Sequence, residues 1–265
     1  MRLFAGCEMS LQASEPCPTV AMLRPRSGSA QWLASESYQF DPPVRPTEYV
    51  DAYGNLCQRF EIGPGPMRIR WSAVVETDDV IAVEPNALTT PVGQLPDEAL
   101  QFMLQSRYCP SDKMADQAQQ IAGNFVPGYA QVEAIRAWVH QNIAYRYGVS
   151  TATTDAIDTL NAKAGVCRDF SHIGISLCRA LRIPARMVVG YLFQLDPMDL
   201  HAWFEAYVGG RWYTFDGTQE TPRGGRIVVA YGRDAADVAF ISNYGSLTTT
   251  SLKAWVQLDS GQPLF

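Results

Sequence analysis

Basic charge is scarce in this chain. Its 21 Lys and Arg stand against 27 Asp and Glu, a net charge of −6 over 265 residues. No basic cluster forms either, since Arg24 and Arg26 flank Pro25 in an expected loop. A nucleic-acid binder needs a clustered basic surface, so that class is excluded. Long apolar runs are also lacking. No stretch approaches the ~18 apolar residues of a membrane span. The opening MRLFAGCEMSLQASEPCP has a short apolar start that is too polar overall for a signal peptide or anchor. A cytoplasmic protein without a membrane partner is expected. The six cysteines (Cys7, Cys17, Cys57, Cys109, Cys167 and Cys178) contain no Cys-x-x-Cys pair. In a reducing compartment they are expected as free thiols. With neither that pair nor a His-x-x-x-His spacing, no metal site is expected, and no motif calls for a cofactor. Internal repeats and low-complexity tracts are absent.

What is present divides in two. Up to about residue 90 the chain is rich in Pro and Gly, with short runs of β-branched and aromatic residues. SESYQF (35–40), EYVDAYGNLCQRFEI (48–62) and MRIRWSAVVETDD (67–79) read as strands separated by YGN and GPGP turns. Met67, Ile69, Trp71, Ala73 and Val75 alternate with polar residues, the pattern of a half-buried antiparallel strand. The expectation is an all-β domain over 1–90 and a second domain over 91–265. The second begins with helices, at 97–106, 111–123, 129–143 and 151–165. It continues with strands at 185–193, 201–208, 211–216 and 226–232. That is an α+β domain of helices packed on an antiparallel sheet.

The segment AGVCRDFSHIGISLCRALRIP (164–184) predicts a helix over roughly 167–182, stopped by Pro184. Phe170, Ile173, Gly174, Leu177 and Leu181 form its buried stripe. Asp169, His172, Ser176 and Arg179 fall opposite. Cys167 therefore sits at the helix N-terminus, where free N–H groups and the positive end of the dipole stabilise a thiolate. The same N–H groups suit an oxyanion. Two readings stand here: a small buried residue at a helix start, or a nucleophile. Cys178 lies mid-helix without such a field and reads as core.

Only three histidines can serve as a base. His140 shares a face with Glu133 and Arg136 and reads as solvated. His172 lies roughly 140° around the helix from Cys167 and points away from it. His201 opens HAWFEAYV, which leads through Gly209 and Gly210 into RWYTFD, a two-residue hairpin signal. With that loop Val208 faces Arg211, and pleat parity puts His201, Trp203 and Asp216 on one face. This is the layout of a base and the acid that orients it. Singly, His201 also reads as an interfacial strand histidine, and Asp216 as the residue that starts a turn before Gly217.

GVCRDFSHIGISLCRALRIPARMVVGY followed by DLHAWFEAYVGGRWYTFDGT resembles the core of the transglutaminase-like superfamily, and more narrowly its bacterial members often described as cysteine proteases. SRYC (106–109), AIRAWVHQNIAYRYG and TATTDAIDTL belong to the same likeness, which covers about residues 97–220. It implies a papain-like fold, a preceding β-rich domain, and a triad falling on Cys167 (nucleophile), His201 (base) and Asp216 (orienting acid). The family commonly has Pro after the acid, and this chain has Gly217. Tyr145 is the candidate for a second oxyanion donor. The implied activity is acyl transfer at an amide carbonyl of a peptide or protein substrate through a thioester. Hydrolysis is favoured, with transglutamination or peptide binding without catalysis as the alternatives. Nothing in the sequence fixes the oligomeric state.

Overall fold

The computed structural model describes residues 1–28, 30–261 and 264. Strands come first: β1 (Arg2–Ala13), β2 (Cys17–Ala21), β3 (Gln31–Asp41), β4 (Thr47–Val50), β5 (Leu56–Ile62) and β6 (Gly65–Thr77). Then follow α1 (Asp97–Leu100), α2 (Ala115–Ala122), α3 (Tyr129–Asn142), β7 (Ala144–Tyr145), α4 (Ala156–Ala162), β8 (Ala164–Gly165) and α5 (Cys167–Ala180). The chain continues with β9 (Ala185–Leu192), β10 (His201–Val208), β11 (Arg211–Phe215), β12 (Arg226–Gly232), β13 (Ile241–Asn243) and β14 (Leu247–Leu258). The antiparallel sheets run β14-β1-β6-β3, β13-β2-β5-β4 and β11-β10-β9-β12, and β7 and β8 form a short parallel pair. The expected α+β arrangement is the observed one.

The alternation read in 67–75 is the pleat of β6: Met67, Ile69, Trp71, Ala73 and Val75 are all buried. The run read at 48–62 is split by a turn into β4 and β5. The Asp51 carboxylate accepts the N–H groups of Tyr53 and Asn55, and Gly54 takes φ +84°. The helix expected at 97–106 is shorter than its pattern, reducing to α1 and a 3-10 turn over Gln101–Met103. Ser111 opens another 3-10 turn instead of capping α2.

The division at residue 90 fails at the C-terminal end. β14 pairs along β1 from Leu3↔Leu258 to Ala13↔Leu247, and β13 pairs with β2. The last two strands thus complete the sheets of the first unit. The first half of β1, Leu3 through Cys7, is buried on both faces and shows no alternation, whereas Cys7, Met9, Leu11 and Ala13 alternate with Glu8, Ser10 and Gln12, a pattern that sequence reasoning missed. One hydrophobic core runs from Leu3 to Val256. Trp71 of β6 stacks on Tyr191 of β9, with ring centroids 5.3 Å apart.

β12 is an edge strand of the β11-β10-β9-β12 sheet, and side chains of the first unit close that edge. The Gln31 amide donates to the Val228 carbonyl and accepts its N–H, both at 2.7 Å. Asn55 does the same with Tyr231 at 2.7 and 2.8 Å. Thr77 Oγ1 donates to the Arg226 carbonyl at 2.8 Å. An exposed edge is a liability for any sheet, and these amides imitate a neighbouring strand.

α5 lies across β9 and β10 and is buried on every side from Asp169 to Arg179. Gly174 allows the close approach, because a Cβ there would lie 2.5 Å from the Phe204 ring. The polar face opposite the buried stripe is covered by the 104–109 segment and the 233–235 turn. Arg179 donates to the carbonyls of Leu104, Ala185 and Arg233. His172 accepts the Ala235 N–H and stacks on Tyr108 with centroids 5.1 Å apart. Helical period marks two faces of a helix, but a polar face satisfied by backbone carbonyls has the same signature as one in water.

Candidate active site

Cys167 is the first residue of α5. The start of the helix is fixed by Asp169, whose Oδ2 accepts the Val166 N–H at 2.9 Å. Asp169 is fully buried and is held in turn by Arg168. The parallel pair β7–β8 places Tyr145 opposite Gly165, just before that start. Tyr145 stands close to Cys167, whose side chain and backbone N–H both act on its phenol. Burial, and then the Cys167 side chain, hold this phenol well above its ordinary range, so it stays protonated and able to donate. Tyr145 and the Cys167 N–H thus face one small space.

All six cysteines are free. Cys167 alone is half-buried and the other five are buried. Burial pushes the Cys7 thiol up to about 11 and Cys109 to about 12. Cys178 is raised for the same reason and lies in the core, as its helical phase requires.

His201 begins β10, and the hairpin has the expected register. Gly209 and Gly210 take φ +57° and +83°, Val208 faces Arg211, and Phe204 faces Phe215. Asp216 follows directly after β11. His201 Nε2 donates to Asp216 Oδ2 at 2.8 Å, which leaves Nδ1 as the ring nitrogen open to the Cys167 side chain, a group close enough to act on the ring. His201 is 2% exposed and Asp216 5%. Burial alone would lower the imidazole pKa. The Asp216 charge and hydrogen bond, then Cys167, outweigh it and raise the ring to about 9. For Asp216 burial works upward, but the charges of His201 and Arg226 and the bonds from His201 and Thr218 hold the carboxyl well below its usual range.

Asp216 is held by more than His201. Thr218 donates to Oδ1 through its N–H at 3.0 Å and its hydroxyl at 2.7 Å. Arg226 Nη1 lies 2.9 Å from Oδ2 in an ion pair. The loop after Asp216 is tied to α3, where His140 Nδ1 donates to the Gly217 carbonyl at 3.1 Å and Arg136 to the Gln219 carbonyl at 2.7 Å. His140 and Arg136, read as solvated, therefore support the acid loop. Gly217 is required by packing, because a Cβ would lie 2.8 Å from Val139 Cγ1. A proline would meet the same methyl. Sequence reasoning missed Arg226. The signal was a lone arginine opening the apolar run RIVVAYG just after Gly224 and Gly225.

His172 plays no part in this cluster. Burial, then the Arg168 charge, push it down to about 3, and it sits neutral on the far side of α5. A cavity of about 220 Å³ opens beside His201, lined by Tyr145, Tyr147, Leu195, Asp196, Thr218 and Gln219 among others. Among the described residues no group of three or more His, Cys, Asp or Glu side chains is arranged to hold a metal ion, and no helix is long and apolar enough to cross a membrane. The arrangement offers a thiol, a proton acceptor oriented by a carboxylate, and two donors for an oxyanion.

Comparison with known proteins identifies the family. Residues 115–217 match the transglutaminase-like superfamily model, and residues 12–76 match the bacterial transglutaminase-like N-terminal region. A crystal structure from Cytophaga hutchinsonii, described as a candidate cysteine protease, is 35% identical with a TM-score of 0.93 and covers 100% of this chain and 93% of its own. An uncharacterized protein of Mycobacterium leprae is 28% identical over 256 residues, 90% of each chain. Another from Mycobacterium tuberculosis strain H37Rv is 27% identical over 249 residues, 82% of this chain and 77% of its own. With a papain-like core behind a β-rich N-terminal region, the chain belongs to the transglutaminase-like superfamily.

Proposed function

We propose that this protein is a thiol-dependent amide hydrolase acting on peptides or proteins. The observation that carries the reading is His201 set between the Cys167 side chain and Asp216, with Nε2 bound to the carboxylate at 2.8 Å. With the thiol proton already held on the His201 imidazolium, Cys167 Sγ attacks the amide carbonyl. The resulting oxyanion takes hydrogen bonds from the Cys167 N–H and the Tyr145 hydroxyl. His201 returns its proton to the nitrogen, the C–N bond breaks, and a thioester remains. Water then attacks with His201 as base, releasing the acid and restoring the thiol. Asp216 fixes the tautomer throughout. Likeness to a protein described as a candidate cysteine protease favours water over an amine as the second acceptor.

Alkylation with iodoacetamide tests the site. Cys167 is expected to react selectively well below pH 8, and a His201→Ala substitution is expected to abolish that selectivity. Equal labelling of all six thiols would overturn the assignment. Ammonia release from a glutamine peptide, with and without a primary amine, tests the choice of acceptor. Amine incorporation at a rate rivalling hydrolysis would replace hydrolase by transglutaminase.

A further inference from the structure

We propose that Arg226 is a positioning residue for the Cys167–His201 pair: its guanidinium shares with His201 the one carboxylate oxygen that orients the base, and so sets how strongly Asp216 draws the imidazolium. The inference rests on the function proposed above. Asp216 Oδ1 is satisfied by Thr218 alone. Oδ2 accepts His201 Nε2 at 2.8 Å, and Arg226 Nη1 lies 2.9 Å from the same oxygen as an ion pair without hydrogen-bond alignment. Two cations therefore meet at one oxygen when His201 is protonated. All three residues are nine-tenths buried or more, so solvent screens them little.

Arg226 has nowhere else to go. Among the described residues its one ion pair is with Asp216. Its Nε donates to the Arg223 carbonyl at 2.9 Å, and its guanidinium carbon lies 4.9 Å from the Trp203 ring centroid. Trp203 is two residues from His201 on the same strand, so ring, base and guanidinium form one packed row. The Arg226 backbone is fixed in turn by Thr77 of β6.

Two consequences follow from charge. An arginine stays protonated at every working pH. Asp216 is therefore kept ionised, and the Nε2–H tautomer of His201 is kept with it. A second cation at Oδ2 also competes with the imidazolium for that carboxylate. Without it, Asp216 would bind the protonated ring more tightly, and His201 would release its Nδ1 proton to the leaving amine less readily. The other titratable or charged groups around His201 are Cys167 from α5, Tyr145 and Tyr147 from the segment after α3, and Asp196 across the cavity. Asp199 stands behind Tyr147 and accepts its hydroxyl.

The test is a ring-proton NMR titration of His201, assigned by single substitution because the chain has three histidines. It is run on the full chain with wild type, R226M and R226K, alongside iodoacetamide labelling of Cys167. R226M is expected to raise the His201 midpoint by about one pH unit, the size of effect a neighbouring charge exerts at this range. R226K, which keeps the charge, is expected to return it toward the wild-type value. Where R226M loses its folded circular dichroism spectrum, R226Q carries the same reading. An unchanged His201 midpoint in a folded neutral variant overturns the role of Arg226, even if Cys167 remains selectively labelled. Unselective labelling of wild type would instead sink the catalytic reading, whatever the titration shows.

Discussion

At the scale of single residues, the site is a problem of buried charge. His201 is nearly sealed from solvent and yet raised from 6.5 to about 9, which only a partnered imidazolium allows. A base raised on folding contributes stability that is fully present below its unfolded pKa near 6.5 and is lost as pH rises toward 9. The difference in urea midpoint between wild type and His201→Gln is therefore expected to shrink steadily between pH 6.5 and 9. A difference flat across that window would show that His201 is not held as an imidazolium. The identity of this residue was legible in the sequence for a physical reason. Cys167 is placed by helical phase, and His201 and Asp216 are related by a hairpin whose loop length fixes parity, so each relation is local. Arg226 was not legible, because β12 reaches the site by pairing with β9 across more than thirty residues of intervening chain. His172 shows the converse limit. Its phase correctly turned it from Cys167, but phase alone could not say that Tyr108 and Ala235 would enclose it.

Elements were legible where their period was clean and illegible where burial was two-sided or supplied by distant chain. α3, β6, β10 and β11 follow their patterns closely, whereas the first half of β1 is buried on both faces and carries no alternation. The most consequential element, β12, owes its position to side chains from the other unit. Asn55 is 3% exposed and completes both backbone groups of Tyr231, as Gln31 completes those of Val228. Truncating either amide leaves a part-buried N–H and C=O without their partners, a loss of about 1 kcal/mol. Asn55→Ala and Gln31→Ala are expected to lower the urea midpoint accordingly. Hydrogen exchange should localise the effect, with the Tyr231 amide freed in the first and the Val228 amide in the second. Full protection of both amides would mean that the β12 edge is held by something else. Because Arg226 opens the same strand, the two variants are also expected to loosen its hold on Asp216.

At the scale of the molecule, the change of composition near residue 90 is real but does not mark an independent folding boundary. The chain leaves the first β-unit after β6, builds the helices and the four-stranded sheet, and returns to finish the first unit with β13 and β14. Local composition cannot register a return, because β14 reads as an ordinary polar strand until its partner is known. Cutting before residue 91 would leave β13 and β14 without β2 and β1. It would also strip Gln31, Asn55 and Thr77 from β12 and expose the Tyr191 face that Trp71 covers. An unpaired twelve-residue strand and an open sheet edge favour association over folding. The 91–265 fragment is therefore expected to aggregate or to melt without a cooperative transition, even though it retains Cys167, His201, Asp216 and Arg226. Scanning calorimetry with iodoacetamide labelling checks this: the full chain should show one cooperative transition and selective Cys167 modification, and the fragment neither. A fragment that unfolds cooperatively and still labels at Cys167 alone would show that the 91–265 half stands without the β-unit, and that the clamp on β12 is dispensable for the site.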